Sequence, residues 1–273
     1  MKSAKIFALL LTAVCCLAGC CCANNSNAAG KNDEMLLVVL AGQSNMAGRG
    51  KIEAADKIPI PNVYTLDRDG NWVPSVEPTH FDRKTAGTCL GRTFAEELHK
   101  KYPDKKIGLV PCAIGGSNIE SWFPGGVYKL RSGHVDRPYD QALPRIKQAQ
   151  QDGKVIAVLW HQGCANALKK GQTPEEAYNY YKTKLIQVIR QFRTDVPELQ
   201  DVPFIMGELR SFQPALNVDH INRVIHDITK EIDNTGVASN EGATPLKDRI
   251  HYDRKTLRVL GQRYFKVYDD MVK

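Results

Sequence analysis

Cysteine is scarce in the body of this chain, which excludes a fold held together by a disulfide framework. Of the eight cysteines, five lie between positions 15 and 22, and only Cys89, Cys112 and Cys164 lie beyond them. Three thiols can form one disulfide at most, and isolated cysteines are more often small buried apolar residues. The fold must therefore depend on an apolar core, and 273 residues are enough to bury one.

Short motifs typical of cofactor and metal sites are also lacking. The chain contains no C-x-x-C pair, H-E-x-x-H, P-loop or G-x-G-x-x-G. The formal net charge is +7, but the Lys and Arg residues are scattered rather than clustered as in nucleic-acid-binding proteins. We therefore expect no metal, no cofactor and no nucleic-acid partner, and the oligomeric state stays open.

No apolar run has the length of about 20 residues that spans a bilayer. The run at residues 6–17 follows Lys2 and Lys5, which is typical of a secretion signal. It ends in Leu17-Ala18-Gly19-Cys20, which resembles the bacterial lipoprotein box; a cleavable signal without lipid is the alternative. We predict a signal over 1–19, a lipid anchor on Cys20 and a small polar tether over 20–33. The domain over 34–273 would then be exported, facing the periplasm or the surface of a bacterial cell envelope.

Beyond residue 34, apolar runs that end in glycine or polar turns alternate with segments of helical period. This pattern predicts an α/β fold with a parallel sheet and helices on both faces. A short hairpin is expected near residues 62–72, and Trp72 and His80 are either substrate contacts or partly buried surface rings. The predicted strands cover 37–41, 107–113, 155–161, 204–208 and 237–239. The predicted helices cover 90–98 (capped by Thr88), 139–151, 173–192 (with proline in the first turn), 218–234 and 256–272.

Polar residues with complementary chemistry follow three of these strands. In a parallel sheet the strand ends share one edge, so Ser44, Gly116 and Gln162 can meet residues of the late Asp248-Arg249-Ile250-His251 segment. A serine hydroxyl needs a base such as His251, which in turn needs a carboxylate such as Asp248 to fix its tautomer. The Ser44 and Gly116 N–H groups and the Gln162 amide would stabilise the oxyanion.

Four segments resemble the conserved blocks of the SGNH hydrolases, in the variant of carbohydrate esterase family 6 and the sialate O-acetylesterase domain. They are Gly42-Gln43-Ser44-Asn45-Met46, Gly115-Gly116-Ser117, Trp160-His161-Gln162-Gly163 and Asp248-x-x-His251. The resemblance runs from about residue 36 to residue 265. It implies a three-layer α/β/α sandwich and metal-independent removal of acetyl groups from sugar hydroxyls, as in acetylated xylan or sialic acid. Ser44 would be the nucleophile, His251 the base, and Ser44, Gly116 and Gln162 the oxyanion donors.

The chain departs from the resemblance after His-Gln-Gly, where many relatives carry a glutamate and this chain has Cys164. In some relatives that glutamate is thought to orient the catalytic histidine. A thiol with a reference pKa of about 8.5 stays neutral in an apolar site, so the acid role is assigned to Asp248. A glycan-binding lipoprotein without activity and an esterase or thioesterase for acyl substrates are the alternatives.

Further residues of these blocks are candidates for binding substrate or supporting the site. His161 follows a buried strand and is expected to be a hydrogen-bonded core residue rather than a base. Asn45 and Arg49 would brace the serine turn or touch substrate. The complete set of supporting candidates is Gln43, Asn45, Asn118, His161 and Cys164.

Overall fold

A computed structural model describes residues 34–213 and 215–273. The predicted signal, the lipidated Cys20 and the tether lie outside the described residues. Among the helices that the model does describe, none combines the length and the apolar character needed to cross a membrane.

The described residues form a seven-stranded sheet and a separate two-stranded ribbon. The ribbon consists of β5 and β6, and the other strands belong to the sheet. The strands are β1 (Met35–Gly42), β2 (Val63–Leu66), β3 (Trp72–Pro74), β4 (Ile107–Pro111), β5 (Tyr128–Lys129), β6 (Val135–Asp136), β7 (Gly153–His161), β8 (Phe204–Gly207) and β9 (Thr235–Ala238).

The helices occupy the intervals between the strands. Short 3₁₀ turns at Ala54–Lys57, Ile119–Trp122, Cys164–Asn166 and Pro197–Leu199 complete the connections. The α-helices are α1 (Ser44–Ala47), α2 (Leu90–Lys101), α3 (Pro138–Ala149), α4 (Pro174–Asp195), α5 (Asp219–Ile228) and α6 (Arg254–Met271).

Strand β1 lies at the centre of the sheet, whose order is β3-β2-β4-β1-β7-β8-β9. It pairs in parallel with β4 on one side and β7 on the other, so that Val39 lies between Val110 and Val158. Only β3 is antiparallel, forming the predicted hairpin with β2. The carboxyl ends of the parallel strands therefore meet at one edge, where ligands bind in open α/β sheets.

Helices cover both faces of the sheet and give the three-layer sandwich. Leu37, Val39 and Ala41 of β1 pack in one apolar cluster with residues of α3, α4 and α5. Val38 and Leu40 point to the opposite face, into a cluster with α2 and α6. Because both faces of β1 are buried, its sequence is continuously apolar rather than alternating. The predicted α/β class and layer arrangement are confirmed.

The predicted helix starts have different outcomes. The helix start predicted at Thr173-Pro174-Glu175-Glu176 is confirmed, and there the Thr173 side chain accepts a hydrogen bond from the Glu176 N–H in a capping box. The Thr88 cap is wrong: α2 begins at Leu90, and the buried Thr88 hydroxyl has no partner in the described chain. The reason is tertiary, because the Cys89 N–H donates instead to the buried Glu77 carboxylate at 2.9 Å.

The helix predicted over 218–234 is shorter, because α5 ends at Ile228. The six residues that follow form turns and bends up to β9, so the prediction was too long at its C-terminal end.

Trp72, a candidate substrate contact, also has another role. Its indole N–H donates to Asp152 at 2.9 Å, next to the start of β7 and therefore at the edge opposite the strand ends.

A buried ion-pair network ties the loop after α1 to α6. Asp56 is 2% exposed and accepts two hydrogen bonds of 2.9 Å from Arg254 and one of 2.7 Å from Arg258. Arg258 also reaches Glu77 at 3.3 Å. Burial raises the pKa of the Asp56 carboxyl, but hydrogen bonds from Arg254, Glu53 and Arg258 outweigh it and leave the pKa well below its ordinary value.

We expect Asp56→Asn to lower the free energy of unfolding by about 2–3 kcal/mol, measured by urea denaturation. This is less than the ~3–5 kcal/mol of a fully buried broken pair, since Arg254 stays 30% exposed. The contribution is present above the ordinary pKa of aspartate and is lost as the pH falls through the lowered pKa of the folded state.

Asp270→Asn is the control, because Asp270 pairs with Lys266 on the surface and its loss should have no measurable effect. Equal stabilities of the Asp56→Asn and Asp270→Asn proteins would contradict the importance of the network.

Candidate active site

Ser44 stands at the end of the central strand, at the first position of α1. Gly42 has φ 131°, and a Cβ there would overlap the His161 carbonyl, so only glycine allows the close approach of β1 and β7. Gln43 continues in extended conformation, and Ser44 turns into the helix. The serine is 6% exposed. Its place between β1 and α1 fixes it on a rigid element at the ligand-binding edge.

Asp248 and His251 lie together on the loop before α6. The Asp248 Oδ2 is 2.6 Å from the His251 Nδ1, and its Oδ1 accepts the N–H groups of Ile250 and His251 at 2.9 Å each. Arg249 between them has φ 58°, which folds the loop tightly. Partial burial raises the pKa of Asp248, but these hydrogen bonds outweigh it and lower the pKa overall. An ionised Asp248 holds the proton on Nδ1 and leaves Nε2 as the basic nitrogen.

Asn45 connects the serine turn to the histidine loop. Its Nδ2 donates to the Ile250 carbonyl at 3.3 Å, and its Oδ1 accepts the Tyr252 N–H at 3.0 Å. These two contacts lie immediately before and after His251. The residue beside Ser44 therefore fixes both neighbours of His251, and the predicted bracing role of Asn45 agrees with this geometry.

The backbone N–H groups of Ser44 and Gly116 are available for an oxyanion. Within residues 34–213 and 215–273, neither N–H donates to a group of the chain. Gly116 has φ 86°, and the Tyr128 hydroxyl occupies the place of a Cβ, so a side chain there would both strain the backbone and clash. A free, preorganised donor is what oxyanion stabilisation requires.

The Gln162 side chain, the predicted third donor, is engaged within the protein. Its Nε2 donates to the Ser117 carbonyl at 3.1 Å and to Asn166 Oδ1 at 2.9 Å. The same Nε2 lies 3.4 Å from Gln43 Oε1. Its Oε1 accepts from the Tyr181 hydroxyl at 2.9 Å. Both amide protons are thus donated within the protein. Gln162 could donate to an oxyanion only if one of these hydrogen bonds were broken. In this structure Gln162 joins the loops that follow β4 and β7.

The buried side chains of Gln43 and His161 support the site from the protein interior. Gln43 Oε1 accepts the Gly163 N–H at 2.9 Å, so its side chain fixes the turn after β7. His161 is fully buried, and its Nδ1 lies 3.0 Å from the Tyr264 hydroxyl, which itself donates to the Trp160 carbonyl. Burial lowers the pKa of His161 to about 4, which makes it a neutral core residue, as the sequence predicted.

Cys164 is a neutral thiol in this structure. Burial raises its pKa to about 11, and its side chain packs against the cluster that contains α4 and α5. No hydrogen bond links Cys164 to His251 in the described chain. Among the described residues, the side chain bonded to the His251 ring is Asp248, to which the sequence assigned the acid role.

A second polar group at the edge escaped the sequence prediction. Asn166 Oδ1 accepts the Ile119 N–H at 2.9 Å, and its Nδ2 donates to Glu120 at 3.1 Å, where the Tyr180 hydroxyl also donates at 2.7 Å. Asn118 lies beside this group, and its buried Oδ1 has no partner in the part of the chain that is described. The only sequence signal for Glu120 was its place four residues after Gly116, which is weak.

No group of three or more His, Cys, Asp or Glu side chains in the described ranges is arranged to hold a metal ion. The sheet edge instead carries Ser44, the Asp248–His251 pair and two N–H groups without an acceptor in these ranges, where no hydrogen bond joins the Ser44 hydroxyl to His251. Such an arrangement can perform acyl transfer.

Comparisons with known proteins bear on the family and the fold of this chain. A probable carbohydrate esterase of Arabidopsis thaliana is 30% identical over 193 residues, covering 63% of this chain and 68% of the relative. The crystal structure of an Arabidopsis thaliana protein superposes with a TM-score of 0.72 at 25% identity, covering 87% of this chain and 98% of that one.

Two more distant structures share the fold. NanS has a TM-score of 0.65 at 15% identity, with 88% of this chain and 98% of that chain covered. A carbohydrate acetylesterase from Xanthomonas citri has a TM-score of 0.63 at 20% identity, with coverages of 86% and 56%.

The three-layer sandwich of this chain is the fold of these structures, and the four blocks noted in the sequence include the turns at its strand ends. The family model described as "Carbohydrate esterase, sialic acid-specific acetylesterase" matches residues 34–270. The chain therefore belongs to this carbohydrate acetylesterase family, which the resemblance had indicated.

The Asn45 contacts predict a graded mutational effect. Asn45→Ala removes both links to the histidine loop, and we expect kcat for 4-nitrophenyl acetate to fall by about 10²-fold, since ångström-scale misplacement of a catalytic group has that cost. Asn45→Asp retains the acceptor for Tyr252 but not the donor to Ile250, and should give a smaller loss. Wild-type kcat in a folded Asn45→Ala protein, verified by circular dichroism, would contradict this role.

Asp248 and Cys164 should differ sharply in their contributions to kcat. Asp248→Asn replaces an acceptor of the Nδ1 proton with a donor, which favours the wrong tautomer, and the expected loss is about 10⁴-fold. Cys164→Ala removes no hydrogen bond to His251 and should change kcat little. Steady-state kinetics on the same ester test both, and a loss for Cys164→Ala as large as that for Asp248→Asn would refute the assignment.

Proposed function

We propose that this protein is a serine O-acetylesterase that removes acetyl groups from sugar hydroxyls. The observation that supports this most directly is the Asp248–His251 pair, joined through Asn45 to the turn that carries Ser44. A carboxylate, an imidazole and a serine on connected, rigid elements have the order that an activated nucleophile requires.

The proposed reaction begins when His251 Nε2 takes the Ser44 proton and Oγ attacks the acetyl carbonyl carbon. The Ser44 and Gly116 N–H groups would stabilise the oxyanion of the tetrahedral intermediate. The intermediate then expels the sugar oxygen, which receives its proton from His251, and leaves an acetyl-enzyme. Water, deprotonated by His251, attacks the acetyl carbonyl carbon. The second tetrahedral intermediate expels Ser44 Oγ, which takes the proton back from His251, and acetate is released.

The substrate class is proposed from the family and from the polarity of the edge. The family model describes sialic acid-specific acetylesterases, and a structural neighbour is a carbohydrate acetylesterase. Acetylated xylan-type polysaccharides and acetylated sialic acid are the proposed substrates, and the motifs favour carbohydrate esterase family 6. The polar side chains after each strand do not form the apolar groove that acyl substrates need.

The place of action is proposed from the sequence alone. The basic start, the apolar run over residues 6–17 and Cys20 support export and lipid anchoring in a bacterial cell envelope. The enzyme would then meet glycans outside the cytoplasm while attached to a membrane through its lipid.

Ser44→Ala should abolish acetate release from acetylated xylan-oligosaccharides and from acetylated sialic acid, measured by an enzymatic acetate assay. A fluorophosphonate probe should label the wild type and a Ser239→Ala control but not Ser44→Ala, because only a serine activated by a base reacts rapidly. Ser239 is an exposed serine after β9 and is suited to the comparison.

Two outcomes would reject the proposal. Equal acetate release by Ser44→Ala and the wild type would exclude Ser44 as nucleophile. An unlabelled wild-type protein that still binds glycan would favour the binding lipoprotein without activity.

A further inference from the structure

The Gly116 N–H belongs to the central peptide of a β-turn at the end of β4. The turn comprises residues 114–117 and is closed by a hydrogen bond of 3.2 Å from the Ser117 N–H to the Ile114 carbonyl. Gly116, at the third position, has φ 86°, whereas Gly115, at the second, is outside the left-handed region. A positive φ confined to the third residue is typical of a type II turn.

The type of this turn decides where the Gly116 N–H points. The dihedral angles of types I and II differ mainly in the orientation of the peptide between the second and third residues. In a planar trans peptide the C=O and N–H point in opposite directions, so the direction of the Gly115 carbonyl fixes that of the Gly116 N–H. Glycine adopts either sign of φ, and neither residue has a side chain that opposes a reversal of this peptide. Its orientation must therefore be fixed from outside the turn.

Two consecutive residues of the loop after β3 bind the two backbone groups of Gly115. Asp82 Oδ2 accepts the Gly115 N–H at 2.8 Å, and Arg83 Nη2 donates to the Gly115 carbonyl at 3.2 Å. Within residues 34–213 and 215–273, no other group donates to that carbonyl. The bond from Arg83 is made to the central peptide itself, so a reversal of the peptide would break it.

The Arg83 guanidinium is fixed by two further acceptors. Its Nη2 also pairs with Asp136 Oδ2 at 2.5 Å, and its Nη1 donates to the Asp82 carbonyl at 2.8 Å. The side chains of Arg83 and Asp136 are 19% and 5% exposed. Because the donors of a guanidinium lie in one rigid plane, these two contacts determine where the remaining Nη2 proton points.

The loop that carries Arg83 is anchored to the serine turn. The Asp82 Oδ2 that accepts the Gly115 N–H also pairs with Arg49 at 2.7 Å, and both side chains are nearly buried. Arg49 in turn donates to the Gly48 carbonyl at 2.7 Å, directly after α1. The turn with the oxyanion donor and the turn with the nucleophile are therefore bound to the same loop.

The two-stranded ribbon contacts the same glycine turn from its outer side. Asp136 lies in β6, and its cross-strand partner in β5 is Tyr128. The Tyr128 hydroxyl occupies the position that a Cβ of Gly116 would take. One strand of the ribbon thus packs against the Gly116 Cα, while the other binds the arginine that holds the Gly115 carbonyl.

We propose that Arg83 is a positioning residue for the oxyanion site. Its bond to the Gly115 carbonyl keeps the turn in type II and keeps the Gly116 N–H directed at the oxyanion. The cation also polarises the peptide, which strengthens the N–H of the same peptide as a donor. The inference rests on the proposed function, because it takes the Gly116 N–H as an oxyanion donor. Arg83 acts through the peptide and not through contact with the substrate.

Arg83→Met retains the length of the side chain but removes its donors. We expect kcat for 4-nitrophenyl acetate to fall by about 10–10²-fold with KM little changed, because the affected interaction is made in the transition state. The loss stays below the ~10²–10³-fold of removing a donor outright, since the released peptide keeps the productive orientation for part of the time. Arg83→Lys retains one donor group and should recover part of kcat.

Two controls separate positioning from the loss of charge. Lys84→Ala removes the neighbouring, exposed cation of the same loop and should leave kcat unchanged. Arg83→Met in an Asp136→Asn background leaves no unpaired carboxylate at position 136 and should lose as much kcat as Arg83→Met alone. Wild-type kcat in a folded Arg83→Met protein, or an equal loss in Lys84→Ala, would overturn the proposal.

An NMR measurement separates failure of this inference from failure of the esterase function. The Gly115 Hα lies closer to the Gly116 amide proton in a type II turn than in a type I turn, so the nuclear Overhauser effect between them reports the turn type. The effect should be strong in the Ser44→Ala protein and weaker when Arg83→Met is added, whereas adding Lys84→Ala should retain it.

An equally strong effect with and without Arg83→Met would overturn the positioning role, even in a protein that hydrolyses the ester. A weaker effect in a protein that hydrolyses no ester would support the role of Arg83 in the turn and count against the esterase function alone.

Discussion

The burial of β1 on both faces is the constraint on which the rest of the molecule depends. The strand is paired with β4 and β7 and enclosed between helix layers, so none of its side chains before the last residues can be polar without a large cost. Chemistry is therefore confined to the end of the strand. Gly42 lets the backbone pass against the His161 carbonyl, and Ser44 is the first position with space for a reactive hydroxyl.

The polar residues beyond the strand ends form a connected network, because buried polar atoms need partners. Gln43 binds the Gly163 N–H, Gln162 binds Ser117 and Asn166, and Asn166 binds Glu120. A nearly satisfied network of this kind fixes the loops after β1, β4 and β7 relative to one another. In the part of the chain that the structure describes, the Ser44 and Gly116 N–H groups have no acceptor, and oxyanion stabilisation requires such preorganised donors.

The sequence was sufficient for what depends on local pattern and insufficient for what depends on distant partners. Apolar runs and their terminal turns predicted the layers and placed Ser44, Gly116 and Gln162 at one edge. The Thr88 cap was wrong because a distant carboxylate, Glu77, takes the N–H at the helix start. The bond of Asn45 to Ile250 crosses 205 residues, and no local rule contains such a contact. The occupied amide of Gln162 escaped prediction for the same reason.

The neutral thiol at position 164 is compatible with the position of the acid in this site. Asp248 is 44% exposed and receives two backbone N–H bonds besides the His251 proton, and these hydrogen bonds outweigh its partial burial and keep its pKa below the ordinary value. A carboxylate at position 164 would lie among apolar side chains, and burial there already raises the pKa of the thiol to about 11. A second acid would have to be stabilised against the same burial. Asp248 fixes the tautomer and the orientation of the His251 imidazole from the solvent side. A neutral, compact residue at 164 therefore leaves both unchanged, and it keeps the packing of α4 and α5 intact.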